Sequence, residues 1–200
     1  MFKGKKEIET VLMALSEQLD VEGTGRIEMV VCGGAALNMI GCVQRTTKDM
    51  DVIAFVERDK NGAALLTKVS PLYPAIMAAA KRVQRDFNLP ENWLNTGPAS
   101  VLDFGLPEGL MKRVNTRVYG RNLIIHFLGR YDQIHFKLYA AVDRGRPDVH
   151  FDDLMSLRPS AQELEDAARW SMTHDSSDPY KEVLKEFLSK IGYKDVAERI

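Results

Sequence analysis

Asp49 and Asp51 stand one residue apart at the head of an apolar run, Met50 to Val56 (MDVIAFV). Side chains alternate faces along a strand, so the two carboxylates project together into one site. Two acids held that way repel unless a cation lies between them. Hard oxygen ligands of this kind suit Mg²⁺, which is held by one or two carboxylates together with substrate phosphates. Upstream, Cys32-Gly33-Gly34-Ala35 follows a second apolar run (Ile27, Met29, Val30, Val31) and opens a short helical pattern. A Gly-Gly step at a strand-to-helix turn lets backbone amides approach a phosphate, and the helix start adds a favourable dipole. Directly before the acids, Arg45, Thr46, Thr47 and Lys48 form a positive, hydroxyl-rich segment suited to a triphosphate, although a solvated loop would look the same. Taken singly, Asp49 and Asp51 read as ordinary strand-start acids and Gly33-Gly34 as a tight turn. Their combination shifts the reading toward a phosphate and cation site.

Two further charged residues sit where charge is costly. Ile134, Lys137, Leu138 and Ala141 fall at i, i+3, i+4 and i+7, so the Lys137 ammonium emerges from the apolar stripe of its helix, where it either snorkels from the stripe's edge or meets an anionic partner inside. His150, Asp153, Leu154 and Leu157 repeat the pattern in the next helix. An inward acid needs a partner, and Lys137 or a metal is the natural one for Asp153. A helix-fastening ion pair and a catalytic role both satisfy that requirement. Asp148 reads as the cap of the second helix. His126, inside the apolar run Leu123 to Leu128, reads as a satisfied core histidine in preference to a general base.

The string Gly33-Gly34-Ala35, followed by Asp49-Met50-Asp51-Val52, resembles the signature of the polymerase-beta-like nucleotidyltransferase superfamily. The version here is similar to minimal nucleotidyltransferases related to AbiEii-type toxins and to uncharacterised bacterial nucleotidyltransferase-like proteins. Lys137-Leu138-Tyr139-Ala140, Asp153-Leu154, Leu157-Arg158-Pro159 and Trp170 extend the likeness, which covers about residues 28 to 190. The resemblance implies a Mg²⁺-dependent transferase, with Mn²⁺ as a substitute, that moves an NMP group from an NTP to an acceptor. It implies that Asp49 and Asp51 hold metal, that Gly33, Gly34, Arg45, Thr46, Thr47 and Lys48 meet the nucleotide, and that Lys137 contacts its phosphates with Asp153 nearby. Acceptors in related families include tRNA ends, proteins and small molecules, and toxin relatives act beside a partner protein from a neighbouring gene. One departure stands out. Many active members carry a third acid on a later strand, where this chain offers only His126. A catalytically impaired nucleotide-binding or partner-binding regulator is therefore the rival expectation.

Composition narrows the class. A chain of 200 residues with 45% hydrophobic content can bury a full core. Its 27 basic and 28 acidic side chains leave a formal charge of -1, so no global field draws it to nucleic acid or an anionic membrane. Cys32 and Cys42 provide no disulfide framework, and Met1 to Lys6 lead straight into a helix without a secretory pattern, which suggests the cytoplasm. No apolar run approaches the roughly 20 residues that span a bilayer.

Helical spacing predicts helices over about 6–20, 34–40, 74–88, 131–144, 150–157, 160–173, 179–191 and 194–200. Strands are expected at about 26–32 and 50–56, and a hairpin from 115–119 and 123–128 around Gly120-Arg121-Asn122. Residues 88–107, with Pro90, Pro98 and Pro107, read as an irregular loop. The expected fold class is α+β: a small mixed-sheet nucleotidyltransferase core (1–150) with a C-terminal helical extension (151–200).

Overall fold

The computed structural model describes residues 1–144 and 148–200, and the chain forms an α+β fold whose helices and strands group into two compact units. Residues 1–103 with 114–128 make the sheet unit, and residues 104–113 with 129–200 make the helical unit.

In the sheet unit, α1 (Lys5–Val21) owes its position to Ile8, Val11, Leu12, Leu15 and Leu19, all buried at three- and four-residue spacing. It is followed by β1 (Ile27–Cys32), α2 (Gly33–Met39) and β2 (Met50–Arg58). Next come β3 (Ala64–Thr67) and α3 (Pro74–Asp86), with Pro74 at the first turn, where its missing N–H costs nothing. The segment expected to be irregular contains the two-residue β4 (Leu94–Asn95) and a 3₁₀ turn over Gly97–Asp103. A hairpin of β5 (Asn115–Tyr119) and β6 (Leu123–Phe127) closes the unit. Gly120 takes φ 54° in its turn, the left-handed conformation that favours glycine.

The sheet runs β3-β2-β1-β6-β5, with β4 added to β2. β1 and β2 are antiparallel, β1 and β6 parallel. Met29 and Val31 of β1 and Leu123, Ile125 and Phe127 of β6 alternate onto the face that packs with α1 and α3 in the main core. Glu28, Val30, Cys32, Ile124 and His126 therefore project from the opposite face. Cys32 pairs in register with Asp51, which puts the start of β2 beside the end of β1. That pairing creates the site described below.

The helical unit contains α4 (Leu110–Arg113), α5 (Arg130–Arg144), α6 (Val149–Ser156), α7 (Ala161–His174), α8 (Asp178–Lys190) and α9 (Lys194–Arg199). As expected, Asp148 caps α6, its carboxylate accepting from the His150 and Phe151 amides. Ser160 and Glu163 form a reciprocal capping box on α7. Among the described residues no helix is long and apolar enough to cross a membrane.

Candidate functional site

Asp49 precedes β2 and Asp51 lies within it. Both are half-buried, whereas the intervening Met50 is fully buried. This alternation places the two carboxylates on one strand face, as their spacing predicts. Met50 is fixed from behind, because its amide donates to the Trp93 carbonyl at 2.6 Å and the strand then pairs with Leu94 and Asn95 of β4.

Gly33 lies against Asp51. It holds φ 73°, and a Cβ built on it would come within 2.6 Å of Asp51 Oδ2. The other oxygen, Oδ1, accepts from Asn95 Nδ2 at 3.1 Å, and Asn95 is itself held by the Gly97 amide at 2.8 Å. Asn95 thus holds one oxygen of Asp51, and the other lies against the bare Gly33 backbone. At Gly34 a Cβ would meet Thr47 Oγ1 at 2.7 Å and an Arg45 guanidinium nitrogen at 2.9 Å. The two glycines are required by close packing against the chain's own side chains, in addition to any ligand they admit.

Buried Asn38 ties this turn to the loop that faces it, its amide donating to both the Gly34 and the Arg45 carbonyls at 3.0 Å. Thr47 is 4% exposed because its backbone pairs with Phe2 in a two-way bridge of 2.8 and 2.9 Å. Phe2 is sealed, its ring edge-on to Trp93. Thr46 and Lys48 face solvent on the same segment, and the Thr46 carbonyl accepts from Arg45 Nη1. Gly33, Gly34, Arg45, Thr47 and Asp51 therefore converge in the sheet unit, with Asp49 beside them on the strand.

The family model for a nucleotidyltransferase of unknown function (DUF6036) matches residues 10–168. The chain belongs to this nucleotidyltransferase family. No curated protein and no solved structure matches it. The family match takes in the Gly-Gly turn, both strand acids and the helical unit through most of α7.

Where the wider superfamily resemblance leads one to look for a third acid, this nucleotidyltransferase family member carries His126, 4% exposed and fully engaged. Its Nε2 faces Glu28 Oε2 at 3.1 Å, and its Nδ1 faces Thr116 Oγ1 at 2.8 Å. A carboxylate only accepts, so Nε2 carries the proton and the Thr116 hydroxyl donates to Nδ1. His126 is a satisfied core histidine. Glu28 in turn pairs with Arg58 and Arg26, and the Arg58 guanidinium above all holds its carboxyl down to about 2 against the opposing effect of burial. Among the described residues no group of three or more His, Cys, Asp or Glu side chains is placed to hold a metal ion.

Lys137 and Asp153 meet in the helical unit, Nζ to Oδ2 at 2.7 Å, with His150 Nδ1 3.5 Å from the same ammonium. Both stripes face inward as their spacing predicts, and the pair fastens α5 to α6. Sequence reasoning missed Phe2, Asn38 and Asn95. Only Asn38 had a local signal, a lone amide inside the apolar string Ala35-Ala36-Leu37-Asn38-Met39-Ile40, four residues after Gly34.

Proposed function

We propose that this protein is a Mg²⁺-dependent nucleotidyltransferase that moves an NMP group from an NTP to an acceptor hydroxyl or phosphate. The observation that carries the reading is the Asp51 carboxylate lying directly against Gly33, with Asp49 on the same strand face and Arg45 and Thr47 at Gly34. Two half-buried carboxylates form a hard-oxygen donor set that fits Mg²⁺, whose remaining ligands come from phosphate oxygens and water. When bound, the ion supplies charge stabilisation at the α-phosphate and at the attacking oxygen. The chain's own part is positioning. Asn95 holds one oxygen of Asp51, so the carboxylate is aimed before any ligand arrives. The Gly33-Gly34 backbone admits phosphate oxygens to its amides. Arg45 offsets phosphate charge there, and the solvent-facing Thr46 and Lys48 meet the outer end of the triphosphate.

Incubation with each α-labelled NTP, Mg²⁺ or Mn²⁺, and total tRNA or the protein itself tests this. Label should pass to an acceptor with the wild type and not with Asp51→Asn. Absence of transfer in every arm, or equal transfer by the variant, refutes the reading. One observation favours a second reading, a nucleotide- or partner-binding regulator related to toxin–antitoxin components: His126 occupies the place where a third acid is sought. Saturable Mg²⁺·NTP binding without any transfer would select it.

A further inference from the structure

The loop between α2 and β2, which carries Arg45 and Thr47 to Gly34, joins the sheet unit's strand pairing at one point, the bridge from Thr47 to Phe2. Both backbone groups of Thr47 are used there: the Phe2 amide donates to its carbonyl at 2.8 Å, and its own amide donates to the Phe2 carbonyl at 2.9 Å. Phe2 is in turn fixed to α1. The next amide, that of Lys3, donates to the Glu7 carboxylate at 2.7 Å, and the Phe2 side chain lies fully buried in the main core with Ile8, Val11 and Leu12.

The same ring reaches the other flank of the site. It stands edge-on to Trp93, with centroids 6.0 Å apart and planes at 71°. Trp93 is itself pinned, its indole N–H donating to the Ala80 carbonyl of α3 at 3.0 Å while its carbonyl takes the Met50 amide. The two residues that follow it are β4, and Asn95 there holds Asp51 Oδ1. One side chain therefore underlies both arms of the site: Thr47 and Arg45 against Gly34, and Asn95 behind Asp51. Close-packed interiors transmit displacement instead of absorbing it. Mg²⁺ demands near-ideal octahedral ligands at roughly 2.0–2.1 Å, so a small shift of a carboxylate is felt as lost affinity.

We propose that Phe2 is a positioning residue for this site. Its backbone sets the Thr47 arm and its ring, through Trp93, sets the Asn95 arm, so the filling of the Phe2 socket governs Mg²⁺·NTP affinity beyond its share in the stability of the core. This role presupposes the Mg²⁺·NTP site read above at Asp49 and Asp51. Phe2 touches neither ligand nor metal and acts through the two arms alone.

The test is calorimetric titration of the full chain with Mg²⁺ and each NTP in turn, the wild type beside Phe2→Ala, Phe2→Leu, Leu19→Ala and Asp51→Asn, every variant at a temperature where circular dichroism shows it folded. Phe2→Ala keeps the backbone bridge and empties the socket, and it should weaken the NTP that the wild type binds by about tenfold, less than an ångström of misplacement can cost. Phe2→Leu refills most of the socket and should restore most of that affinity. Leu19→Ala removes an equally sealed side chain near the far end of α1, and should lower the melting temperature while binding NTP as the wild type does. Should Phe2→Ala not fold, Phe2→Val takes its place, with a smaller loss expected. Wild-type affinity in the folded Phe2 variant, no recovery in Phe2→Leu, or an equal loss in Leu19→Ala overturns the proposal and leaves the reading of the site standing. A wild type that binds no Mg²⁺·NTP, or no more tightly than Asp51→Asn does, overturns both.

Discussion

The ammonium of Lys137 and the carboxylate of Asp153 are bound at 2.7 Å while only 4% and 1% of the two residues is exposed. Charges this deep depend on each other, because the desolvation that the pair offsets becomes uncompensated when one member is removed. Lys137→Met should therefore cost about 3–5 kcal/mol by removing the ammonium that faces the buried acid, and Asp153→Ala should cost a similar amount by removing the carboxylate that faces the buried ammonium. Removing both charges together, as Lys137→Met with Asp153→Leu, should recover most of the loss. Urea unfolding of the four proteins measures this. A double variant no more stable than the worse single would show that the pairing is not what each residue contributes.

Asp49→Asn and Asp51→Asn should each abolish Mg²⁺-dependent NTP binding or transfer and leave stability within about 1 kcal/mol of wild type, since neither substitution changes volume. Asn at position 51 still offers an oxygen to Asn95, so the local hydrogen bond survives. Titration of Mg²⁺·NTP beside a thermal melt separates the two effects. Loss of binding accompanied by a collapsed melt would assign the acids to folding.

Inward helical stripes were legible because burial imposes a 3.6-residue period on local sequence, and Ile8 to Leu19 of α1 and Ile134 to Ala141 of α5 follow it. The same logic anticipated that Lys137 and Asp153 would face inward. It also located the hairpin, whose Gly120-Arg121-Asn122 turn signals its own geometry. What escaped notice was set by distant pairing. β3 is four half-exposed or exposed residues at the sheet edge, and β4 is two residues that become a strand only by bonding to Met50 and Asp51. Phe2 pairs with Thr47 across α1, β1 and α2, and no window of local sequence contains both partners. α5, read from sequence as the end of a domain reaching residue 150, packs with the helices that follow it. In the site, residue types revealed the chemistry, whereas Asn95, which orients Asp51, is reached only through the β2–β4 pairing.

The Gly-Gly turn carries a prediction that differs from the simplest phosphate-cradle expectation. A side chain at Gly34 meets Thr47 Oγ1 at 2.7 Å, and one at Gly33 meets Asp51 Oδ2 at 2.6 Å from a left-handed backbone. Gly33→Ala should therefore cost about 1–3 kcal/mol from the unfavourable φ alone and also displace Asp51. Gly34→Val should lower the melting temperature as well as NTP affinity. A Gly34→Val protein that melts like the wild type but no longer binds NTP would show that Thr47 and Arg45 yield and that the glycine serves the ligand only.

Glu28 sets the acid limb of stability. Its carboxyl is held at about 2 in the folded protein against an ordinary value of 4.5, chiefly by Arg58 and then by His126, with Arg26 adding to it. A folded-state value below the unfolded one means that folding favours the ionised form, so the contribution is complete above about 4.5 and drains away as pH falls toward about 2. The pairing is partly open, since Arg58 and Arg26 reach solvent at 44% and 59% side-chain exposure, and screening reduces its worth to on the order of 2 kcal/mol. Glu28→Gln should lower stability at neutral pH by about that amount and flatten the decline between pH 4.5 and 2, so that the two proteins converge in acid. The Gln amide oxygen still accepts from His126 Nε2, so the His126 tautomer and its Thr116 hydrogen bond can be kept while the charge is removed. Unfolding free energies measured from pH 7 down to 2 decide the matter. Parallel curves for the two proteins would mean that Glu28 titrates normally and that its arginines contribute nothing to folding.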